Sequence, residues 1–224
     1  MTRTLKDLQA GIHHDFSNPA LLQDALTHSS TGKATNYERL EFLGDRVLGL
    51  VMAQILFQKF PGETEGDLAK RLAALVQGSQ LAQIAAQLQL GEHIVLSDAE
   101  RGTGGAAKEN ILADALEALI GALYLDAGLG KCATLIEELW GDSFYQMKNP
   151  PQHPKTSLQE WAQAQGLPLP EYEIAGQSGP DHAPVFEVRL HVKGHKDMTA
   201  QGRSRQEAEK EVATLFMKKL EGKS

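Results

Sequence analysis

Apolar residues recur three and four positions apart through the first part of the chain, and alternate one by one only near its end. The helical spacing predicts helices over residues 5–12 and 19–27, the second opened by Asn18 as N-cap with Pro19 behind it. A long helix of about 23 residues follows, capped by Asn36 and stopped by Phe60-Pro61-Gly62. Thr64-Glu65-Gly66-Asp67 reads as a capping box before a helix over 68–76, and a further helix spans 79–90. Periodicity fails between 92 and 108, where Arg101-Gly102-Thr103-Gly104-Gly105 predicts a flexible loop. Helical spacing then resumes over 111–123 and 129–147.

Asn149-Pro150-Pro151-Gln152-His153-Pro154 is hostile to helix and to central strand, so it marks a linker. The assignment is 1–148 for one domain, 149–154 for the linker and 155–224 for a second domain. Beyond the linker a helix over 155–165 leads into strands near 172–175, 185–192 and 197–202, and a helix over 204–220 closes the chain. The expected fold is therefore an all-α domain followed by an α+β domain of order α-β-β-β-α.

Within the long helix, Glu38, Glu41 and Asp45 fall in an arc of roughly 60°. They share a face that turns apolar two turns later, which places the acids at one end of a packed helix. A second acidic pair, Asp114 and Glu117, interrupts the Ala- and Leu-rich run from Ile111 to Leu123. Acids inside apolar helices need partners, and no basic residue stands three or four positions from Glu41. If the two helices pack, Glu41, Asp45, Asp114 and Glu117 converge, and carboxylates about 4 Å apart repel by about 4 kcal/mol at an effective dielectric near 20. A divalent cation relieves that. Small residues permit the approach: Gly121 lies below Asp114 on its face as Gly49 lies below Asp45.

Composition narrows the setting. With 224 residues and 42% hydrophobic content the chain can build a core, and its single cysteine, Cys132, excludes an internal disulfide framework and a cysteine-based zinc site. A reducing cytoplasm fits. The N-terminus has no apolar leader, and the longest apolar stretch seen in the sequence, 47–57, is interrupted by Gln54 and too short to cross a bilayer. The net charge of −7 lies wholly before residue 155, where 12 basic residues face 19 acidic ones. Acidity thus collects where the metal site would be.

The stretch Glu38-Arg39-Leu40-Glu41-Phe42-Leu43-Gly44-Asp45 resembles the signature of the ribonuclease III family, and Leu112 to Ala122 resembles that family's second conserved helix. Thr27-His28-Ser29-Ser30 is similar to a family turn, with Ser29 where an Arg commonly stands, and His28 reads as a structural hydrogen-bonder. The second domain resembles the double-stranded RNA-binding domain through Pro154 to Glu160, Gly179-Pro180-Asp181-His182 and Gly202 to Glu209. That resemblance assigns minor-groove contacts to Thr156, Gln159, Glu160 and His182, and phosphate contacts to Arg205 and Lys210. One departure is Gln206, which stands where the family usually has a second adjacent basic residue.

Together these readings imply Mg²⁺-dependent cleavage of double-stranded RNA, with Mn²⁺ as a substitute, leaving 5′-phosphate and 3′-hydroxyl ends. Asp45 and Glu117 are the expected catalytic acids and, with Glu41 and Asp114, the metal ligands; Glu38 and Glu65 are second-tier candidates. The resemblance further implies a homodimer, short 3′ overhangs and processing of ribosomal RNA precursors and other transcripts. Phe42 is compatible with an interface anchor and equally with a core position. No nucleotide cofactor is expected, since no Gly-Lys-Ser/Thr follows the glycine-rich segment. A di-iron oxidase would need Glu-x-x-His, which the chain lacks, and an HD-type site finds only His13, His14, His28 and His93 in the first domain.

Overall fold

The computed structural model describes residues 4–141, 143–147, 149–151, 154–180 and 183–221. These form two compact units that divide between Pro151 and Gln152.

The first unit is helical. Its elements are α1 (Leu5–Gly11), α2 (Pro19–Ala25), α3 (Glu38–Lys59), α4 (Glu65–Leu75), α5 (Gly78–Gln87), α6 (Asp98–Gly102), α7 (Glu109–Trp140) and α8 (Ser143–Gln146). Local chemistry sets several boundaries as the sequence indicates. Asn18 accepts from the Ala20 N–H at 3.2 Å, and Thr64 accepts from the Asp67 N–H at 3.2 Å while its hydroxyl donates to the Asp67 carboxylate at 2.7 Å. Asn36 accepts from the Glu38 N–H at 3.0 Å, although the residue at the cap position itself is Tyr37.

Three expectations need correction. The segment 92–108 is not a flexible loop: it holds 3₁₀ turns at Leu90–Glu92 and Gly105–Ala107 on either side of α6. Ser97 caps α6, Arg101 donates to the Ile94 carbonyl at 3.1 Å, and Lys108 closes onto Glu100 at 2.6 Å. Backbone pairing of Val95 with Leu26 and His28 ties the segment to the turn before α3. Secondly, the helices expected over 111–123 and 129–147 are both present within the span α7 and meet at a non-helical joint at Gly128 (φ 80°, ψ 176°), but the first already begins at Glu109 and the second stops at Trp140 rather than 147. Thirdly, α7 is long and apolar enough to cross a membrane by length and composition, which the stretch 47–57 is not. Leu116, Leu119, Ile120 and Leu123 are instead fully buried in the core between α3 and α5, while Tyr124 and Leu125 are exposed.

The α3–α7 contact is the most extensive in this unit. A Cβ added to Gly44 would lie 1.8 Å from the Glu117 carbonyl oxygen, and one on Gly121 would lie 2.2 Å from that of Leu40. The backbones therefore touch at Gly44 and Gly121. Gly49, expected to share that role, faces open space.

The second unit follows the order α-β-β-β-α: α9 (Pro154–Ala164), β1 (Glu171–Ser178), β2 (Val185–His191), β3 (Met198–Gly202) and α10 (Arg205–Glu221). The three strands pair antiparallel in sequence order, with a bulge in β1 between Ile174 and Gly176. Val188 and Leu190 of β2 and Val192 just beyond it meet Leu158 of α9 and Ala208, Val212 and Phe216 of α10 in a separate core.

Candidate functional site

Close contact at Gly44 and Gly121 brings the acidic turns of α3 and α7 together. Glu41, Asp114 and Glu117 each present a carboxylate oxygen, and the three oxygens lie within 4.8 Å of one another. All three residues are half-buried, and burial is the largest influence on each. It raises Glu117, with help from the charges of Glu41 and Asp114, to a pKa of about 7. Glu41 is raised by burial, then by Asp114 and Glu38. Asp114 is also raised by burial, against the opposing influence of its hydrogen bond from Tyr37 and of His28.

Tyr37 was not singled out by sequence, yet it is the protein's own donor to this cluster. Its side chain is only 4% exposed, and its hydroxyl donates to Asp114 Oδ2 at 3.3 Å. Burial and the surrounding carboxylates hold the phenol above its ordinary range, so it stays a donor. The ring meets His28 edge-on at 5.2 Å, and His28 Nδ1 accepts from the Ser30 N–H, which is the structural hydrogen-bonding role expected of it.

The other acidic candidates sit differently. The Asp45 carboxylate pairs with the guanidinium of the adjacent Arg46, which also lies 5.6 Å over the Phe42 ring, and Asp45 is outside the close trio. The expectation that the acids lack a basic partner thus fails at Asp45, because an exposed Arg one residue away can fold back where a search three or four positions off finds nothing. Glu38 is exposed and near enough to raise Glu41. Glu65, in the first turn of α4, lines a different cleft with Ala53, Leu56, Phe57 and Leu68. Phe42 is 68% exposed, which removes the core alternative, and Leu50 and Phe57 are exposed on the same helix.

In the second unit Thr156 and Glu160 are exposed on α9 and Gln159 is half-buried. Lys155, Ser204, Gln206, Glu207, Glu209 and Lys210 line a cleft of about 520 Å³ at the start of α10. Arg205 donates to Glu209 at 2.7 Å, and Lys155 pairs with the same carboxylate while lying 4.7 Å over the Tyr172 ring. Burial acts to raise Glu209, but these two cations outweigh it and hold the group below its ordinary range. Lys155 and Ser204 received no contact in the sequence analysis, although both lie within the stretches that carry the resemblance. His182 lies outside the described residues.

Comparison with known proteins matches the same two units. A family described as Ribonuclease-III-like matches residues 18–142, and the Double-stranded RNA binding motif matches residues 154–220. The chain is 49% identical over 213 residues to a Ribonuclease 3 of Ehrlichia ruminantium, covering 93% of this chain and 94% of that protein. It is 46% identical to a Ribonuclease 3 of Caulobacter vibrioides over 95% of this chain and 94% of that one. A solved nuclease domain of ribonuclease III from Campylobacter jejuni, 46% identical, superposes with a TM-score of 0.62 over 63% of this chain and 99% of the domain.

Proposed function

The chain belongs to the ribonuclease III family and is an endoribonuclease specific for double-stranded RNA; on that premise we propose that it uses Mg²⁺ and leaves 5′-phosphate and 3′-hydroxyl ends with short 3′ overhangs. The observation that carries the metal reading is the convergence of Glu41, Asp114 and Glu117 with raised proton affinities. An all-oxygen, all-carboxylate donor set fits a hard divalent ion better than a soft one, and family membership implies such an ion. Bound there, Mg²⁺ supplies an activated water and neutralises charge on the phosphorus and departing 3′ oxygens, and Mn²⁺ can take its place.

The chain's own residues have separable tasks in this reading. Glu41, Asp114 and Glu117 hold the ion, Tyr37 orients Asp114, and Asp45 joins as a ligand when Arg46 lets it go, with Glu38 in reserve. Glu65 stands apart from this trio, in a cleft that it lines with Phe57. In the second unit Thr156, Gln159, Glu160 and His182 face the minor groove and Arg205 and Lys210 the phosphates. A second copy of the chain is the proposed partner, docked through the apolar face of Phe42, Leu50 and Phe57; the Campylobacter jejuni structure is described as containing a region involved in dimer formation. Family membership supports processing of ribosomal RNA precursors and of other transcripts as the cellular role, and the single cysteine fits a cytoplasmic setting.

The test is incubation of a long RNA duplex with the full chain, with chelator and with millimolar Mg²⁺. Cleavage into short duplex products only with the metal is expected. Cleavage that proceeds equally in chelator would overturn the metal reading.

A further inference from the structure

At the far end of α10, Gly194, His195 and Lys196 from the β2–β3 turn meet Phe216, Lys219 and Leu220, and together they line a pocket of about 150 Å³. We propose that this pocket is a second phosphate-binding site, which takes an RNA backbone segment separate from the one met at the start of α10. The inference rests on the RNA-binding reading above and extends it to a surface which that reading does not use.

The pocket has a built frame. Gly194 adopts a left-handed conformation (φ 82°), and the His195 N–H donates to the Val192 carbonyl at 3.0 Å, so the turn folds back toward the helix. The His195 ring packs edge-on against Phe216 at 5.4 Å and against Trp161 at 5.4 Å, and those two rings meet at 5.9 Å. Residues from α9, the turn and α10 thus fix the base from which the lysines project.

Charge distinguishes the two ends of the helix. At the start, Lys155 and Lys210 line the cleft with Glu207 and Glu209, Gln206 adds nothing, and Lys155 and Arg205 are both held by Glu209. At the far end, Lys196 and Lys219 line a pocket with no acid among the described residues of its wall. Lys193 and Lys218 flank them in sequence, and none of the four has an ion-pair partner among the described residues. The neighbouring Asp197 accepts from His191 at 2.8 Å. Lys210 at the start likewise has no ion pair among the described residues, but it shares its cleft with Glu207 and Glu209, whereas the far-end lysines, which the family contacts leave unused, share their pocket with none. Lysines in a last helical turn also suit the helix dipole, which accounts for Lys218 and Lys219 but not for Lys193 and Lys196.

Spacing makes the second site independent. Lys219 lies fourteen residues after Arg205, or about 21 Å along the helix axis. One phosphate cannot reach both ends. Two ammonium groups over an aromatic floor, with no carboxylate or side-chain amide among the described residues of the wall, suit a phosphodiester met without regard to sequence.

The test uses the full chain without divalent metal, the Lys196→Gln/Lys219→Gln variant, and two RNA duplexes. One is about 16 base pairs, the footprint of a single such domain, and the other is about three times longer. The variant is expected to bind the short duplex as wild type does, to bind the long one several-fold more weakly, and to show a salt slope on the long duplex reduced by roughly 2. Arg205→Gln/Lys210→Gln should weaken both. Both lysines are exposed, so an unchanged melting temperature checks the fold. Wild-type-like binding of the long duplex by the lysine variant, or equal weakening on both duplexes, would overturn the second site. A wild-type chain that binds neither duplex would overturn the RNA-binding reading itself.

Discussion

Glu117 of α7 and Glu209 of α10 are both helical glutamates withdrawn from water, and burial acts to raise the pKa of each. They end on opposite sides of the ordinary value. Glu209 is met by Lys155 and Arg205 and falls below it, whereas Glu117 is met by Glu41 and Asp114 and rises to about 7. Burial is the largest single influence on both, and the company each acid keeps decides on which side of the ordinary value it ends. A buried acid with two cations completes itself within the chain, and one surrounded by acids requires something the chain does not provide.

The largest effect that can break this comparison is expected from Glu117→Gln. The amide keeps the size and one oxygen but loses the charge, so cleavage of duplex RNA should fall by several orders of magnitude while duplex binding is retained. Metal-free stability supplies a second reading. The unfolded chain releases this proton near 4.5 and the folded chain near 7, so between those values the unfolded state binds fewer protons and stability falls as pH rises. Glu209 acts in the opposite sense: its contribution is present above its ordinary value and is lost as pH drops through the depressed folded value. Melting in chelator from pH 4.5 to 8 should therefore show a declining limb that Glu117→Gln flattens. Wild-type cleavage, or a variant clearly less stable than wild type near pH 7 without metal, would make Glu117 a structural acid.

Next in size is the packing that creates the cluster. Gly44→Ala places a methyl against the Glu117 backbone, where a Cβ would sit 1.8 Å from the carbonyl oxygen. A backbone atom cannot swing aside as a side chain can. Overpacking of this kind costs about 1 to 3 kcal/mol or more, and one kcal/mol in a chain of this size moves the melting temperature by roughly 2 to 4 °C. Gly49→Ala is the control, since nothing lies within 4 Å of its added Cβ and the helix gains about 0.5 to 1 kcal/mol from alanine. Equal melting temperatures for the two variants would show that α3 and α7 do not meet at Gly44.

What could be read in advance follows from how local each determinant is. Asn18 and Thr64 announce their helix starts because a cap acts within three residues, and the alternation through β2 announces a strand for the same reason. The acidic face of α3 is legible in one helical turn. The crossing point is not: Gly44 and Gly49 look alike in sequence, and only the position of α7 decides which one it presses upon. Segment 92–108 was unreadable because pairing with the distant residues 26–28 orders it. Arg46 was overlooked because its pairing with Asp45 runs between adjacent residues, and Tyr37 because an aromatic before an acidic turn carries no periodic signal.

The smallest effect, and the one that sharpens the comparison, concerns Tyr37. Among the described residues, Glu209 has two charged donors, whereas the donor to the Glu41–Asp114–Glu117 cluster is neutral, the Tyr37 hydroxyl on Asp114. If the cluster holds a metal, that hydroxyl orients a ligand rather than neutralising it, and removing such a support typically weakens metal affinity about 10-fold or somewhat more. Tyr37→Phe keeps the ring against His28 and the buried volume, so metal-free melting should change by no more than about 1 kcal/mol, the usual worth of a single hydrogen bond. The Mn²⁺ concentration that half-saturates the rise in melting temperature should increase by that factor, and cleavage at saturating metal should return close to the wild-type rate. A shifted metal midpoint with recovered cleavage identifies Tyr37 as a positioning residue. An unshifted midpoint would mean that its hydroxyl merely satisfies a buried carboxylate, and the cluster would then resemble Glu209 more closely than the comparison allows.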